Sequence, residues 1–294
     1  MIVYYKWMAN LLMVIGAVLG AVMGWIHFGG NILNSENKTA VFVFALFIFA
    51  GIIVFRFIGA IVAGKKLKKV QGILFSEADP KHFLEIFEPV NKKVPHDLAE
   101  YANGQNWISY AREALGDFDG AFDAIKDLKP NEQKIHALTT SALIVNQKAN
   151  LQILKKDFEA ASFQIEDLKH LKELADKRAK MLAGNLEQQI KVHEARIAAA
   201  KGTADADIKY LEEEIQYATN VIYRKEIQLE VAEYYLRKGN MDNVSYRKAM
   251  DILEDMVKER KGLYTETRAD ELIKNPEKLY KYEEDNDGFV VIRE

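Results

Sequence analysis

One uninterrupted apolar run dominates the N-terminal part of the sequence. From Val41 to Gly64 every residue except Arg56 is apolar or small, and a lysine-rich KKLKK segment follows at once. A helix needs about 20 residues, at a rise of about 1.5 Å each, to cross the hydrocarbon core of a bilayer. The run therefore predicts a membrane-spanning helix over about residues 40–64.

A second apolar run covers about residues 7–28, and the two runs together predict a transmembrane hairpin within residues 1–69. The first run is either a cleaved signal peptide or a retained span. A signal peptide has a basic start, an apolar stretch of about 7–15 residues and small residues at its cleavage site. Here only Lys6 precedes a longer stretch, and Trp25 and His27 lie where small residues are required. These features favour a retained span.

Three glycines form a strip on one face of the first predicted span. Gly16, Gly20 and Gly24 recur at every fourth residue, which places them on one side of a helix. Small residues at this spacing let another helix backbone approach closely inside lipid. Packing against the second span is the favoured interpretation, and homodimerisation through the strip, giving a homo-oligomer, is the alternative.

Basic residues near the span ends predict the orientation of the hairpin. The loop at 29–39 has one lysine and one glutamate, whereas four lysines follow the second span: Lys65, Lys66, Lys68 and Lys69. Loops rich in lysine and arginine stay in the cytoplasm. We therefore expect a multi-pass protein of a bacterial-type plasma membrane, with both termini and the helical domain cytoplasmic and the lysines at the lipid headgroups.

Arg56 is an ionisable residue inside the second predicted span. Such a residue is a candidate for a functional role, for example lining a pore or pairing with a partner. It lies near the predicted cytoplasmic end, where its long side chain can reach the headgroups. Contact with headgroups is the favoured interpretation.

The rest of the chain is predicted to be helical, so the expected fold class is all-α. Residues 70–95 are expected to form a connector with a short helix that starts near Pro80. A helical domain is expected over 96–262, followed by a polar, partly mobile tail over 263–294. Within this tail the apolar residues 289–292 either fold back onto the helices or form a short strand with a partner.

A helix-turn-helix pattern stands out near residue 116. Gly116 and an aspartate precede Phe118, and the small Ala121 then lies on one helical stripe with Phe118. The pair Phe158 and Ala161 repeats this pattern 40 residues later. The pattern resembles the junction of a tetratricopeptide repeat, in which a small residue lets two helices pack closely. The resemblance covers about residues 96–262, with irregular spacing.

The resemblance implies stacked helical hairpins with a concave surface that docks a protein or peptide. Between the second junction and a third, weaker one, few breaks interrupt the helical pattern. We therefore expect a long hairpin of two coiled-coil-like helices over about residues 157–238, with an apolar seam that only Lys225 interrupts.

The sequence argues against several kinds of chemistry. The absence of cysteine excludes disulfides, thiolate metal sites and cysteine nucleophiles. The six histidines show no metal-binding spacing and are expected at surfaces or helix ends, and no phosphate-binding or nucleophile motif occurs. With 40 basic and 43 acidic residues interspersed, a general nucleic-acid surface is not expected. Neither an enzyme nor a cofactor is predicted.

The predicted function is that of a membrane-anchored scaffold or adaptor. Its cytoplasmic helical domain is expected to bind a protein or peptide partner of unknown identity. The alternative is an oligomeric transport or pore component, suggested by Arg56 and the glycine strip, with the helical domain as a gate or tether.

Overall fold

The computed structural model describes residues 2–32, 38–128, 135–202, 205–239 and 243–277, which are helical and contain no β-strand. The all-α prediction is confirmed, and the predicted strand or folded-back segment at 289–292 lies outside the described residues. A 3-10 turn, Ile2–Tyr5, comes first. The helices are α1 (Lys6–Ile32), α2 (Lys38–Phe75), α3 (Pro80–Asn91), α4 (Ala99–Ala114), α5 (Phe118–Ile125), α6 (Ile135–Leu154), α7 (Phe158–Arg178), α8 (Lys180–Ala200), α9 (Asp205–Tyr217), α10 (Val221–Gly239), α11 (Asn243–Lys258) and α12 (Tyr264–Lys274).

Helices α1 and α2 pack side by side as an antiparallel hairpin with an apolar outer surface. Two stretches are long and apolar enough to span a membrane, Lys6–His27 and Val41–Phe75. Their large side chains point outward, and Phe57, for example, is 69% exposed. Soluble monomers rarely expose contiguous apolar surfaces of this kind. The hairpin therefore favours association of the chain with a membrane.

The glycine strip of α1 faces α2. A Cβ atom at Gly16 would lie 2.6 Å from Cβ of Phe55, and one at Gly24 would lie 2.6 Å from Cδ2 of Phe44. At Gly20 it would lie 2.9 Å from Cα of Ile48. These distances are shorter than any normal carbon contact, so the strip packs within the chain and lets the two backbones touch.

We expect Gly20→Ala to destabilise the hairpin, because the added methyl group forces the backbones of α1 and α2 apart. Overpacking of this kind costs about 1–3 kcal/mol. The matched control is Gly72→Ala in α2, where a Cβ meets no atom within 4 Å. The check is the melting temperature of the full chain in mild detergent. Equal melting temperatures of the two variants would contradict the tight contact at Gly20.

Helix α2 does not end at the lysine cluster. It continues to Phe75, and its final turns bury Leu67, Val70 and Leu74 in the core of the helical domain. These three residues share one helical stripe, which explains why the helix continues. The connector predicted from residue 70 therefore begins as the last turns of α2, and α3 follows.

The start of the chain belongs to the same core. Tyr4 and Tyr5 are buried, and the Tyr4 hydroxyl donates a hydrogen bond to the carbonyl of Glu100 in α4. The ammonium group of Lys66 lies 4.8 Å from the ring centre of Tyr5. Both ends of the hairpin thus join the helical domain on one side. Removal of the chain through the first apolar run would also remove these contacts with the domain.

The helical domain is built from two layers of helices. In the inner layer α4, α6, α8, α10 and α12 contact one another in this order, and α12 contacts α4. These contacts close the inner layer into a ring. Helices α5, α7, α9 and α11 link successive members of the ring. The ring helices α6, α8 and α10 run parallel. Asn146 and Asn150 of α6 contact His193 and Arg196 of α8 in that order, and Arg196 and Ala199 of α8 contact Glu230 and Arg237 of α10 in that order.

The predicted junction near residue 116 forms a tight turn. Gly116 adopts a φ of +82°, which glycine tolerates, and the Asp117 side chain then caps α5. Ala121 is fully buried where α5 approaches α4. Phe118 meets Tyr264 edge-on, with ring centres 5.0 Å apart. The junction therefore also ties α5 to the start of α12.

The second junction has the same geometry without a glycine. Lys156 takes the left-handed conformation, with a φ of +60°, and the Asp157 side chain caps α7. Ala161 is fully buried, and Phe158 lies under the ammonium group of Lys201 at 5.5 Å. The aspartate, aromatic and alanine positions are thus used alike at both junctions.

The prediction of a long two-helix hairpin over 157–238 is wrong. The first predicted helix breaks at Ala179, and α8 folds back along α7, so that Leu171 and Leu186 share one buried cluster. The second breaks after Tyr217, and the Asn220 side chain caps the start of α10. The chain therefore forms four shorter helices, because folding back buries the apolar face of each against a neighbour.

The start of the predicted polar tail is also helical. Helix α12 packs against α11, with Ala269 and Leu272 buried beside Leu253 and Met256. A capping interaction places the Glu266 side chain on the backbone N–H of Leu263. The structured domain therefore extends to about residue 277, and the rest of the predicted tail lies outside the described residues.

Candidate functional site

The centre of the ring contains a charged cluster rather than an apolar core. Arg196 of α8 is 1% exposed, and its guanidinium donates to both carboxylate oxygens of Glu230 at 2.7–3.0 Å. It also donates to the side-chain oxygen of Asn150 on α6. A buried charge of this kind needs both a counter-ion and further hydrogen bonds, and Arg196 has both.

Two buried carboxyl groups lie beside this arginine. Glu113 of α4 accepts hydrogen bonds from the side chains of Gln147 and Asn150, the latter at 2.6 Å. The carboxyl group of Glu226 on α10 interacts directly with that of Glu113. Two carboxyl groups in contact cannot both ionise readily, so the pair holds a proton.

Burial shifts the protonation of the whole cluster. It raises the pKa of Glu113 well above 4.5, and the charge of Glu226 raises it further. Burial likewise raises the pKa of Glu226 to about 7, while Arg196 opposes this change. Burial alone would lower the pKa of Arg196, but Glu230 raises it, so the guanidinium stays charged. Buried groups with shifted pKa values in a cavity are typical of functional sites.

A cavity of about 440 Å³ opens beside the cluster, and we refer to it as the amide cavity. Its wall includes Phe75, the last residue of α2, which stacks on Tyr110 with ring centres 5.7 Å apart. The cavity therefore adjoins the helix that leads to the hairpin. Its lining includes eight carboxamide side chains, which are Asn106, Asn146, Gln147, Asn150, Asn185, Gln188, Gln189 and Asn220.

Four buried polar atoms on residues that line the amide cavity have no hydrogen-bond partner among the described residues. Three are the acceptors Oδ1 of Asn106, Oε1 of Glu226 and Nδ1 of His193, and the fourth is the hydroxyl oxygen of Tyr110, which can also donate. His193 donates from Nε2 to Asn146 at 2.9 Å, which leaves Nδ1 as an acceptor. Burial lowers the pKa of His193 to about 3, with a further contribution from Arg196, so the ring is neutral. Buried polar atoms without partners are uncommon and indicate a missing ligand or water.

A second cavity, of about 540 Å³, is also lined by Arg196, and we refer to it as the basic cavity. Its basic side chains are largely paired: Arg237 and Arg268 lie within 3.6 Å of Glu233, and Arg196 binds Glu230. Most of the basic side chains of this cavity are therefore held in ion pairs within the protein. Lys155 pairs with a surface aspartate outside the cavity.

The residues predicted from sequence lie outside the amide cavity. Phe118 lines the basic cavity, whereas the buried Ala121 and Ala161 are packing residues. Arg56 is exposed on the hairpin, away from the contact between α1 and α2. The four lysines are all exposed on α2.

Sequence reasoning missed the charged cluster. His193 was expected at a surface or helix end, and this prediction is wrong, because it is 4% exposed and hydrogen-bonded inside the ring. A usable signal existed. Arg196 lies one turn from Val192 and Ala199 on the buried stripe of α8, and charged residues on such a stripe indicate a buried polar network.

The described residues contain no group of three or more histidine, aspartate or glutamate side chains arranged to hold a metal ion. No protein-family model, curated protein or solved structure matches the chain significantly. Function must therefore be inferred from the geometry of this chain.

The cluster predicts a stability optimum near mildly acidic pH. Folded Glu226 keeps its proton until about pH 7 instead of 4.5, so stability falls as the pH rises through this range. In the folded protein His193 stays neutral down to about pH 3, whereas in the unfolded chain it gains a proton below about pH 6.5. The free energy of unfolding therefore falls as the pH drops below 6.5. Glu113, whose pKa is also raised well above 4.5, adds to the decline as the pH rises. We therefore expect urea unfolding of the full chain in detergent to show a stability maximum near about pH 4.5.

Two substitutions separate the two limbs of this profile. Glu226→Gln should make the decline above about pH 4.5 shallower, with Glu113 keeping part of it, and His193→Gln should flatten the decline below about pH 4.5. Each replacement keeps an amide that can hydrogen-bond in the same place. A profile that neither substitution changes would show that other groups control the pH dependence.

Proposed function

We propose that this chain is a membrane-anchored adaptor whose helical domain binds an extended peptide segment of a protein partner. The apolar hairpin supports the anchor, and its direct continuation into the domain through α2 holds the domain close to the membrane surface. The lysines after the span support a cytoplasmic domain. The resemblance to tetratricopeptide repeats supports a docking role.

The amide cavity is the observation that carries this proposal. A carboxamide group has one acceptor and two N–H donors, so it matches the hydrogen-bonding groups of a peptide backbone. Eight such groups line one cavity, and three buried acceptors there lack a partner in the described parts of the chain. A volume of about 440 Å³ falls within the usual range for a ligand site.

A peptide-display selection on the full chain in lipid nanodiscs tests the proposal. We expect enriched peptides that bind the unchanged chain and bind the double variant Asn185→Ala with Gln188→Ala roughly tenfold or more weakly, because two hydrogen bonds are lost. Both residues are exposed in the cavity wall, so their loss should leave the fold intact.

The matched control is Gln216→Ala, an exposed glutamine on α9 that does not line the cavity. It should bind the selected peptides as the unchanged chain does. Failure to enrich any peptide, or equal binding by all three proteins, would contradict peptide binding in the amide cavity.

The orientation of the helical domain across the membrane is tested separately with cysteine labelling. The chain has no cysteine of its own, so each introduced cysteine is the single labelling site. Ser35→Cys lies between the two predicted spans in the sequence, and Glu77→Cys follows α2 at an exposed position. We expect a membrane-impermeant maleimide to label Ser35→Cys in intact cells and Glu77→Cys only after permeabilisation. The reverse pattern would place the helical domain outside.

A further inference from the structure

We infer that the amide cavity binds a cationic nitrogen donor of the partner peptide, either a lysine or arginine side chain or its terminal ammonium group. This inference rests on the proposed function and names the group that the cavity selects. Its basis is the set of three buried acceptors, one of which is a carboxylate oxygen.

The acceptors define the chemistry of the missing group. Asn106 Oδ1, His193 Nδ1 and Glu226 Oε1 all lie on residues that line one cavity, and each of these residues is at most 8% exposed. Asn106 Oδ1 and His193 Nδ1 are acceptors, and Glu226 Oε1 is one as well once its carboxyl group has lost the proton, above about pH 7. A group with several N–H donors satisfies such a set, whereas a carboxylate or phosphate offers no donor and would add repulsion at Glu226.

The charged side chains in the wall of the amide cavity also favour a cationic ligand. Its only cationic residue is Arg196, which Glu230 already binds through both carboxylate oxygens. Two carboxyl groups remain in the wall, on Glu226 and Glu214, and the latter accepts a hydrogen bond from Gln188 at 3.0 Å. Glu226 is ionised above about pH 7, so above that pH the surplus charge of the wall is negative and can bind a cation through short charge-assisted hydrogen bonds.

Three synthetic heptapeptides test the inference on the full chain in nanodiscs made of lipids without primary amines. The first is N-acetylated and C-amidated, with one lysine at the centre of six alanines. The second replaces the lysine by norleucine, which keeps the apolar stem and removes the charge. The third is the norleucine peptide with a free terminal ammonium group. Binding is measured by isothermal titration calorimetry at about pH 8, where Glu226 is ionised.

We expect the lysine peptide to bind about tenfold or more tightly than the acetylated norleucine peptide. If the free-terminus norleucine peptide matches the lysine peptide, the inference is supported and the terminal ammonium group can serve as the donor. Equal binding by all three peptides would overturn the inference and leave the proposed peptide site standing. Binding by none of them would overturn both.

Two variants assign the effect to Glu226. Glu226→Gln should abolish the preference for lysine over norleucine while the norleucine peptide still binds, a pattern that a misfolded chain cannot give. Asn106→Asp adds a carboxylate to the same wall and should increase the preference. The control Glu213→Gln changes an exposed glutamate that does not line the cavity and should leave the preference unchanged. An unchanged preference in Glu226→Gln would overturn the assignment.

Discussion

Replacing Arg196 by methionine is expected to lower the free energy of unfolding by about 3–5 kcal/mol. The side chain is 1% exposed and bridges three members of the ring, with bonds to Asn150 of α6 and Glu230 of α10. Methionine fills much of the space but leaves Glu230 without its counter-ion. The cost is therefore that of a buried unpaired charge, not of a lost contact at the surface.

The matched control is Arg247→Met, at an exposed position on α11. Its effect should stay within about 0.5 kcal/mol, as for other surface substitutions. The double variant Arg196→Met with Glu230→Gln should recover part of the loss, because the unpaired carboxylate is gone. Urea unfolding of the full chain in detergent measures all three. Similar stabilities of Arg196→Met and the control would show that Arg196 does not hold the ring together.

The parts of the fold that could be predicted are those set by local sequence. The helix that contains the apolar run from Val41 can be predicted from the length of that run, and the packing face at Gly20 from the spacing of small residues. The turn at Gly116 is likewise local, because a left-handed residue and an aspartate cap suffice to end one helix and start another. The continuation of α2 past the lysines is less apparent from local sequence, because the stripe at Leu67 and Leu74 is buried by helices that come later in the chain.

The reversal of the chain at Ala179 could not be predicted from local sequence. Alanine is the strongest helix former, and no proline or glycine lies at this break. Tertiary burial decides the outcome, because only a folded-back α8 can bury Leu186 against Leu171. The candidate site depends on this reversal, since α8 carries Arg196 into the ring. A cluster built by four helices distant in sequence leaves only a weak signal in each one.

Lys225 illustrates how such a weak signal can be read, and its replacement is expected to have a second large effect. In the sequence it interrupts an apolar seam, and in the structure it is 6% exposed. Its ammonium group donates to the carbonyls of Met256 and Glu259 at 2.9 and 2.7 Å and to the carboxylate of Glu266 at 2.5 Å. The Lys225 side chain thus donates hydrogen bonds to backbone carbonyls at the end of α11 and to a carboxylate at the start of α12. We expect Lys225→Met to cost about 3–5 kcal/mol, because it leaves the buried charge of Glu266 without its partner.

The loss at Lys225 should be local, in contrast to that at Arg196. Glu266 also accepts hydrogen bonds from the backbone N–H groups of Lys261 and Gly262, so the loop before α12 depends on the same carboxylate. Hydrogen exchange of Lys225→Met should therefore accelerate in α11 and α12 and remain slow in α6 and α7. The control Lys258→Met, an exposed lysine on α11, should change neither. Because α12 closes the ring against α4, uniform acceleration in all ring helices would show instead that ring closure stabilises every member together.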